Sequence, residues 1–540
     1  MAGLAAAFGS GAMTNTIADI ETADVILITG SNTSENHPVL SSFVKRAVTF
    51  RDAKLIVVDP RRIKMTEFAD YWLRQSLGTD VAWINGMMHV IIKENLHDQS
   101  FIDNRTEGFF QLKGTVEKYT PEYVEEITSI PKEQLIKAAR LYASAKTGSI
   151  LYCMGITQHI SGTDNVKSLA NLAMLCGNLG VAGGGVNPLR GQNNVQGSCD
   201  MGGLPNVMTA YQPVTDEGVQ KRMEAAWGVT GLSNKVGLKV TEMIPKAHKK
   251  EIRALYVAGE NPLVSDANIN HVKHSLKQLD FLVVQDIFMT ETAKMADVVL
   301  PSACFAEKDG TFTNTERRVQ RVRKAVEPPG EAKDDWWIIC QIGSRMGLPM
   351  EYADSKAIFE EITRVTPSYA GITYERIEDE GIHWPCPSKE HPGTPILHGQ
   401  HFTRGKGRFH AIEWIPPAEQ IDENYPFYLT TGRVLYQYHT GTMTMKSDGL
   451  NERAPESFVE ISPKDAAIYN LATGDRVTIS SRRGDINVIV KVSLKAVDGT
   501  LFIPFHYAKA AANILTNTSL DPISGIPELK VCAVKLSKAA

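Results

Sequence analysis

The stretch Ala-Asp-Val-Ile-Leu-Ile-Thr at 23–29, followed by Gly-Ser-Asn-Thr-Ser-Glu-Asn-His-Pro at 30–38, decides the fold class of this chain. A short apolar run that ends in a glycine turn is typical of a buried parallel strand. Residues 39–48 then show helical periodicity, and a second apolar run at 54–58 ends in Asp59. This order of strand, helix and strand predicts a Rossmann-like β-α-β unit in an α/β protein.

The turn after the first strand does not carry the Gly-x-Gly-x-x-Gly pattern of nicotinamide-binding folds. A strand-end acidic residue nevertheless points to the ligand crevice of an open α/β sheet. Because a carboxylate can accept from both N–H groups on the Watson–Crick edge of guanine, Asp59 is a candidate guanine reader.

A loose internal repeat extends this pattern. Residues 252–261 and 281–286 form a second pair of strand-like runs, the first ending in a glycine turn and the second in Asp286. Three short matches follow in each half: Met-Thr-Glu at 65–67 and 289–291, Ala-Asp at 69–70 and 296–297, and Gly-Thr at 78–79 and 310–311. Two similar half-domains predict two related nucleotides around one centre. The alternative is that any two Rossmann-like units resemble each other to this degree.

The segment 183–206, Gly-Gly-Gly-Val-Asn-Pro-Leu-Arg-Gly-Gln-Asn-Asn-Val-Gln-Gly-Ser-Cys-Asp-Met-Gly-Gly-Leu-Pro-Asn, has neither a helical nor a strand period. Its side chains are mostly neutral hydrogen-bonding groups around one cation, Arg190. Long loops between apolar segments are usually functional, and a guanidinium can grip a carboxylate at two points. The alternative is a surface loop with one solvated arginine.

The remaining segments indicate helices at 82–95 and 131–145 and a buried strand at 149–154 that leads to His159. His159 could be a general base, although a lone histidine is more often a hydrogen-bond partner. From about residue 425 the pattern is all-β, with strands at 427–431 and 501–505 and a hairpin at 477–492 around Arg483-Gly484-Asp485. We expect four domains: Rossmann-like domains at 1–192 and 193–330, a mostly helical connection at 331–415, and a β-barrel at 416–540.

Composition limits the class of protein. The chain has 540 residues, 43% hydrophobic content and a net charge of −4, which argues against a nucleic-acid partner. No apolar run is long enough for a membrane span, and the N-terminus lacks the basic start of a signal peptide, so we expect a cytoplasmic protein. The seven cysteines include no Cys-x-x-Cys pair, so we expect no iron–sulfur or zinc ligands within the chain.

Several motifs resemble one family, the catalytic subunits of molybdenum- or tungsten-dependent formate dehydrogenases among the molybdopterin bis-guanine-dinucleotide oxidoreductases. The resemblance covers essentially the whole chain. It rests on these segments: Gly-Ala-Met-Thr-Asn at 11–15, Val-Asp-Pro-Arg-Arg at 58–62, Leu-Gly-Thr-Asp at 77–80, Met-Gly-Ile-Thr-Gln-His at 154–159, Asn-Pro-Leu-Arg-Gly-Gln-Asn-Asn-Val-Gln-Gly-Ser-Cys-Asp-Met-Gly at 187–202, Gln-Asp-Ile-Phe-Met-Thr-Glu-Thr-Ala at 285–293, Gly-Thr-Phe-Thr-Asn-Thr-Glu-Arg-Arg-Val-Gln at 310–320 and His-Thr-Gly-Thr-Met-Thr at 439–444.

The resemblance implies two molybdopterin guanine dinucleotides with Mo or W, a six-stranded double-psi barrel that closes over the cofactor, and oxidation of formate to CO2 or the reverse. It implies that Arg190 holds formate and that Gln192 lies near the metal. The implied cofactor-binding residues are Gly30, Asn32, Asn36, Asp59, Pro60, Arg61, Gly78, Asp80, Gly155, Gln158, Gly191, Gly259, Glu260, Asn261, Asp286, Thr290, Thr431, Arg433, His439, Thr440, Gly441, Thr442, Asn513 and Lys530.

Family members carry an N-terminal [4Fe-4S] domain and a Cys or selenocysteine metal ligand before Val-Ala-Gly-Leu, whereas this sequence starts Met-Ala-Gly-Leu. We therefore expect a chain that begins after an in-frame selenocysteine codon and is inactive alone. Implied partners are formate or CO2 and electron-transfer subunits of iron–sulfur, flavin/NAD, ferredoxin or hydrogenase type. The alternatives are another molybdopterin enzyme, such as a nitrate reductase, and a non-catalytic module that binds the cofactor or a partner.

Overall fold

The computed structural model describes residues 1–348 and 350–539. The chain packs into two compact units: unit 1 comprises Met1–Leu189, Leu263–Val272 and Ile396–Ala540, and unit 2 comprises Arg190–Pro262 and Lys273–Pro395. The four domain ranges expected from the sequence divide the chain differently and stay a prediction.

Helices, several of them consecutive, and strands are interspersed along the chain until the C-terminal part, where strands dominate. The α-helices are α1 Ala2–Phe8, α2 Thr33–Asn36, α3 Pro38–Phe50, α4 Asp80–Lys93, α5 Gln99–Arg105, α6 Phe109–Val116, α7 Pro121–Thr128, α8 Lys132–Ser144, α9 Met154–Thr157, α10 Gly162–Leu175, α11 Val195–Asp200, α12 Glu217–Trp227, α13 Val240–His248, α14 Pro262–Ser265, α15 Ile269–Leu276, α16 Asp335–Arg345, α17 Ser355–Val365, α18 Asp448–Arg453 and α19 Pro463–Ile468. The strands are β1 Val25–Thr29, β2 Lys54–Val58, β3 Tyr71–Leu73, β4 Thr106–Glu107, β5 Gly148–Tyr152, β6 Val186–Pro188, β7 Ala254–Ala258, β8 Phe281–Asp286, β9 Val298–Pro301, β10 Gly310–Thr313, β11 Arg318–Val322, β12 Ile382–His383, β13 Gly407–Arg408, β14 Phe427–Gly432, β15 Phe458–Ile461, β16 Arg476–Ser481, β17 Gly484–Val492, β18 Thr500–Pro504 and β19 Cys532–Lys538.

Unit 1 is built on a five-stranded sheet of order β3-β2-β1-β5-β6, in which every neighbouring pair is parallel. The central strand β1 is buried along its whole length. Its side chains alternate between two hydrophobic cores, one shared with α1, α4, α8 and α10 and the other with α3. The sheet is therefore covered on both faces, as parallel sheets require, which confirms the α/β class expected from residues 23–59.

Unit 2 contains the second Rossmann-like sheet, with the parallel order β7-β8-β9. The internal repeat is visible at the Ala-Asp pairs. Asp70 accepts a hydrogen bond from the Leu55 N–H (2.9 Å), and Asp297 accepts one from the Leu282 N–H (2.7 Å), so each closes the start of its strand in the same way. The Gly-Thr match is not structurally equivalent, because residues 78–79 precede α4 whereas residues 310–311 belong to strand β10.

The C-terminal part of unit 1 is a closed six-stranded barrel of order β14-β18-β15-β17-β16-β19. Its core is a cluster of aliphatic side chains from all six strands, which confirms the expected barrel. The hairpin turn differs from the sequence-based expectation. Ser481 pairs with Gly484, so Arg482 and Arg483 form the turn and Gly484 already belongs to β17.

Two further expectations were wrong in detail. The segment 183–206 is not entirely irregular, because it contributes β6 to the edge of the sheet and then forms α11. The segment 331–415 is not mostly helical: beyond α16, α17 and a 3-10 turn at Pro367–Tyr369, its described residues contain no further helix. In the described part of the chain, no helix combines the length and the hydropathy that a membrane span needs.

Candidate functional site

The ends of β1 and β5 meet through two glycines at the carboxyl edge of the unit 1 sheet. Gly30 has a φ of +56°, and its carbonyl accepts a hydrogen bond from the Gly155 N–H at 3.0 Å. A Cβ on Gly155 would lie 2.6 Å from the Gly30 Cα, and a Cβ on Gly30 would lie 2.6 Å from the Ile156 nitrogen. Only glycines permit this approach, and it sets the positions of the turns that follow both strands.

The strand-end carboxylates Asp59 and Asp286 hold their own turns in a similar way. In unit 1, Asp59 Oδ1 accepts from the Arg61 N–H at 2.9 Å. In unit 2, Asp286 Oδ1 accepts from the N–H groups of Ile287 (2.7 Å) and Phe288 (3.2 Å). Burial raises the pKa of Asp59 to about 6, and burial also raises the pKa of Asp286. Both carboxylates therefore sit where an N–H donor from a ligand would favour the ionised form.

A buried histidine lies between two buried carboxyl groups in unit 1. His159 Nε2 donates to the Gly155 carbonyl at 2.8 Å and lies 3.8 Å from Asp80 Oδ2, while His159 Nδ1 lies 4.0 Å from Glu528 Oε1. Burial lowers the pKa of His159, raises that of Asp80 to about 6 and raises that of Glu528. The bond to Gly155 assigns His159 the hydrogen-bonding role that the sequence favoured over that of a general base.

Two cations lie in the interior beside Asp59. Lys530 Nζ donates to the Thr431 carbonyl at 2.6 Å, and the Lys530 N–H donates to the Gln158 carbonyl at 3.3 Å. Burial lowers the pKa of Lys530 to about 8. Arg61 pairs with Glu460 at 2.5 Å, and its guanidinium stacks 3.4 Å from the centre of the Phe502 ring. The barrel and the sheet thus place positive charge on one region of unit 1.

The loop after β14 is shaped by buried His506. The Val434 N–H donates to His506 Nε2 at 3.0 Å, and His506 Nδ1 bonds the His439 carbonyl. Burial lowers the pKa of His506 to about 4, so this ring is neutral and can accept from Val434. The loop includes Arg433, over the Tyr438 ring, and Thr440, Gly441 and Thr442, with the two threonine hydroxyls 3.0 Å apart.

The remaining expected cofactor residues have local contacts. In unit 1, Asn513 Nδ2 donates to the carbonyls of Val264 (3.0 Å) and Ser265 (2.8 Å). The Gly78 carbonyl accepts a hydrogen bond from Trp414 Nε1 at 2.9 Å. Pro60 lies between Asp59 and Arg61. In unit 2, Gly259 follows β7 and has a φ of +64°, and Glu260 accepts a hydrogen bond from the Asn261 N–H at 3.1 Å. The Asn261 side chain donates to Glu291 at 2.9 Å and accepts from the Thr292 hydroxyl at 2.8 Å. The Thr290 hydroxyl accepts from the Ala293 N–H at 3.0 Å.

Arg190 begins unit 2, followed by Gly191, Gln192 and α11. The Arg190 N–H donates to Thr315 Oγ1, and Arg190 Nη2 donates to Gln196 Oε1, both at 3.1 Å. Gln196 in turn bonds the buried carboxylate of Asp200. Arg190 is the only charged residue between positions 187 and 196, so the loop presents a cation among neutral amides, as the sequence predicted.

The residues of unit 1 fit a polar, anionic cofactor. The side-chain oxygens of Asn32 and Asn36 are buried and accept no hydrogen bond from the described residues. Buried acceptors of this kind are costly unless a ligand supplies N–H donors. Lys530 is buried, and its Nζ donates to the carbonyl of Thr431. Orphaned amide oxygens and a buried ammonium suit the N–H edges and the phosphates of a pterin dinucleotide.

The sequence did not indicate several groups of this site. Glu460 and Glu528 lie far along the chain from Arg61 and His159, which they face. No local spacing could connect positions 399 residues apart, such as Arg61 and Glu460. The network of Gln196 and Asp200 with Tyr211 and Tyr369 was equally hidden, although Gln196 and Asp200 stand four residues apart on one helix.

Comparisons with known proteins agree with this geometry. Residues 3–345 match the family model described as molybdopterin oxidoreductase, and residues 427–533 match the model described as "Molydopterin dinucleotide binding domain". The F420-dependent formate dehydrogenase subunit alpha of Methanocaldococcus jannaschii is 53% identical over 540 residues, covering 99% of this chain and 80% of the relative. Formate dehydrogenase H of Escherichia coli is 40% identical over 546 residues, covering 100% of this chain and 76% of the relative.

A solved structure shows the same fold. Acetylene hydratase from Pelobacter acetylenicus superposes with a TM-score of 0.79 at 23% identity, covering 100% of this chain and 80% of that one. The first family model spans more than half of the chain and includes both Rossmann-like sheets, while the second covers most of the barrel. Molybdopterin guanine dinucleotide with Mo or W is therefore the cofactor, and the chain belongs to the molybdopterin oxidoreductase family.

Proposed function

We propose that this chain is the catalytic subunit of a formate dehydrogenase, which oxidises formate to CO2, a proton and two electrons or runs the reverse reaction. The observation that carries the proposal is sequence identity of 53%, 51% and 40%, over nearly the whole chain, to three proteins named as formate dehydrogenases. The chain carries Arg190 as the cation of the amide-rich loop, and a guanidinium suits the two oxygens of a small carboxylate substrate.

In this proposal Arg190 binds and orients the substrate. Formate offers a protein one carboxylate and one C–H bond, so orientation is most of what the side chains can supply. A planar guanidinium donates to both carboxylate oxygens and thereby fixes the direction of the C–H bond. Arg190 cannot be the base, because a guanidinium does not lose its proton in proteins. Gln192 extends the same neutral polar surface beside Arg190.

The cofactor residues have separate roles. When bound, the metal–pterin group supplies the two-electron acceptor. Asp59 and Asp286 would each accept from the N–H edge of one guanine, and Lys530, with Arg61 and Arg433, would balance anionic charge. Asn32 and Asn36 would receive N–H donors for their buried oxygens. These assignments account for the raised pKa values of the two strand-end carboxyl groups. In the cofactor-free protein each buried carboxylate is poorly solvated, and N–H donors from a bound guanine would stabilise its ionised form.

The electrons must leave through a partner. Two of the relatives, at 53% and 51% identity, are named F420-dependent and alpha subunits. We therefore propose that this chain works beside an electron-transfer subunit that delivers the electrons to F420. Formate-dependent reduction of F420, but not of NAD, by the purified complex would support this acceptor, whereas reduction of NAD alone would contradict it.

The central test of the proposed function is Arg190→Lys in the cofactor-loaded complex. Lysine keeps the positive charge but loses the planar fork, so we expect kcat/KM for formate to fall by about one to two decades, at unchanged cofactor content. The assay is viologen reduction with formate, run beside viologen oxidation with nitrate.

The outcomes separate the alternatives. Nitrate turnover without formate turnover would indicate the second enzyme class, and full cofactor content without either activity would indicate a non-catalytic module. Unchanged formate kinetics in Arg190→Lys would show that Arg190 is not the group that holds formate.

A further inference from the structure

A buried polar network lies behind Arg190 in unit 2. Gln196 and Asp200 stand on α11, Tyr211 follows α11, and Tyr369 comes from the 3-10 turn at Pro367–Tyr369. Gln196 Nε2 donates to Asp200 Oδ1 and to the Tyr211 hydroxyl, both at 2.8 Å. The Tyr211 hydroxyl donates to Asp200 Oδ1 at 2.8 Å, and the Tyr369 hydroxyl donates to Asp200 Oδ2 at 2.6 Å.

We propose that Asp200 is a positioning residue for the reaction, which fixes the orientation of the Gln196 amide and through it the Arg190 guanidinium. The inference rests on the proposed function, in which Arg190 binds the carboxylate of the substrate. Gln196 links the two residues, because its Oε1 accepts from Arg190 Nη2 at 3.1 Å while its NH2 group donates to Asp200.

The two ends of the Gln196 amide differ in hydrogen bonding, since one is an acceptor and the other a donor. A glutamine side chain can rotate by half a turn and exchange its oxygen for its NH2 group at little steric cost. If Gln196 did so, its NH2 group would face the Arg190 cation, and donor would face donor. A carboxylate only accepts, so Asp200 can bond the nitrogen end of Gln196 and cannot bond the oxygen end.

Tyr211 also favours one orientation of the Gln196 amide. The NH2 group of Gln196 has two hydrogens, and its bonds to Asp200 and Tyr211 use both of them. The Tyr211 hydroxyl gives its own proton to Asp200, so it also meets Gln196 as an acceptor. Two acceptors on one side of the amide leave its oxygen directed to Arg190.

The surroundings keep this arrangement rigid. Asp200 and Gln196 are fully buried, and so is Arg317. Arg317 donates to the carbonyls of Thr394 and Pro395 at 2.8 Å, and its charge lies close enough to interact with that of Asp200. Burial raises the pKa of Asp200, while the bonds from Tyr369, Gln196 and Tyr211 oppose that rise. A buried anion that accepts three hydrogen bonds beside a buried cation has little freedom to reorient.

The experiment is a double-mutant cycle in the cofactor-loaded complex. Asp200→Asn replaces the obligate acceptor by a group that can bond either end of Gln196, and Gln196→Met removes the amide at nearly constant length. Each single change should raise KM for formate roughly three- to ten-fold with a smaller change in kcat. The double variant should be no worse than Gln196→Met, because Asp200 acts through Gln196.

A second readout does not depend on turnover. Azide is a monoanion of about the size of formate, and its Kd by titration calorimetry should rise in parallel with KM in both single variants. Cofactor content should remain at the wild-type level. Thr128→Val is the matched control: it removes a fully buried hydroxyl that bonds the Val124 carbonyl (2.7 Å) and the Ile130 N–H (3.1 Å) at the end of α7 in unit 1, and it should leave KM and the azide Kd unchanged.

The results distinguish this inference from the proposed function. If Arg190→Lys weakens formate binding but Asp200→Asn does not, or if the two single effects multiply in the double variant, Asp200 does not act through Gln196 and the inference is overturned. If Arg190→Lys itself has no effect, Arg190 does not bind formate and the inference about Asp200 fails with it, whereas the proposed formate activity stands or falls with the turnover of the wild-type complex. If Asp200→Asn does not accumulate as folded protein, Tyr211→Phe takes its place in the cycle, with the same expected non-additivity.

Discussion

At the scale of single residues, burial of carboxyl groups in the interior of this protein has a cost in stability. Asp59 is 8% exposed and accepts one backbone N–H within the chain. Its pKa of about 6 lies above the ordinary value because burial disfavours the charged form. An ionised Asp59 at neutral pH therefore destabilises the cofactor-free protein, and a bound donor would offset that cost.

The sign of the effect follows from linkage. A folded-state pKa raised from 3.8 to about 6 means that Asp59 contributes stability below about pH 4, and that this contribution is lost as the pH rises through 6. We expect cofactor-free Asp59→Asn to be more stable than the wild type at pH 7, by at most about 3 kcal/mol, and no more stable at pH 4. Chemical denaturation at the two pH values measures the difference.

The same substitution tests the guanine assignment. An Asn at position 59 presents a donor to an N–H edge as readily as an acceptor, so the content of pterin and metal in the expressed complex should fall. Asp286→Asn is the matched variant in the other half of the repeat. Higher stability at pH 7 together with undiminished cofactor content in both variants would mean that these carboxyl groups do not bind guanine.

At the scale of elements, the meeting of β1 and β5 determines where the first site can form. Their pairing is parallel and in register from Val25 with Gly148 to Thr29 with Tyr152. Just beyond the register, Gly30 and Gly155 bring the two turns into backbone contact. The turns therefore leave the sheet together, and they carry Asn32 on one side and Gln158 on the other.

A methyl group at this contact should be costly. In Gly155→Ala the new Cβ would lie 2.6 Å from the Gly30 Cα and 2.7 Å from its carbonyl oxygen. Backbone atoms cannot move aside as a flexible side chain can, so we expect a loss of about 1–3 kcal/mol in the free energy of unfolding. Gly114→Ala is the control, because among the described residues no atom outside the adjoining backbone of helix α6 lies within 4 Å of its Cβ. It should stabilise the protein by about 0.5–1 kcal/mol. Equal stability of the two variants in urea would refute the packing argument.

Elements are also the scale at which sequence reasoning was most successful. The strands β2 and β8 begin and end at the predicted residues, because an apolar run that ends in an aspartate has few other interpretations. The turn of the C-terminal hairpin was predicted at Arg483-Gly484-Asp485, but Arg482 and Arg483 form it. This turn lacks the glycine that usually marks a hairpin turn in a sequence. The predicted internal repeat is confirmed where Asp70 and Asp297 accept hydrogen bonds from the starts of their neighbouring strands. It is wrong at the two Gly-Thr pairs, whose sequence similarity reflects no structural equivalence.

The residues of the candidate site also fall into two groups, those that the local sequence indicates and those that only the folded structure reveals. Arg190 and Asp59 could be proposed because a motif contains each of them, whereas Lys530 was implied only by the family resemblance. Tyr369 could not, since its bond to Asp200 spans 169 residues of chain and follows only from the folded structure. Long-range partners of this kind leave no spacing for a pattern to detect.

At the scale of the whole molecule, unit 1 is held together by groups that are distant in sequence. Thr163 lies in the first turn of helix α10 of the Rossmann-like part, and Asp521 lies between the last two strands of the barrel. Asp521 accepts from the Thr163 N–H and from the Thr163 hydroxyl, both at 2.8 Å. Burial alone would raise the pKa of Asp521, but the donors of Ser524 and Thr163 outweigh it and hold the pKa below its usual value. The barrel thus caps a helix of the sheet domain.

This long-range cap should couple the two parts of unit 1. Asp521→Ala leaves the N–H and the hydroxyl of Thr163 in the first turn of α10 without their acceptor, which costs about 1–2 kcal/mol at a helix N-terminus. Hydrogen exchange should show faster exchange both in α10 and in the barrel strands β18 and β19, because the lost bonds belong to both. Asp98→Ala is the control: Asp98 accepts from the Phe101 N–H at 2.8 Å and caps only α5, next to it in sequence. Its effect should stay within α5. If Asp521→Ala accelerates exchange in α10 alone and leaves the barrel strands at wild-type protection, the barrel and the sheet domain are stabilised independently, and unit 1 is two cooperative bodies rather than one.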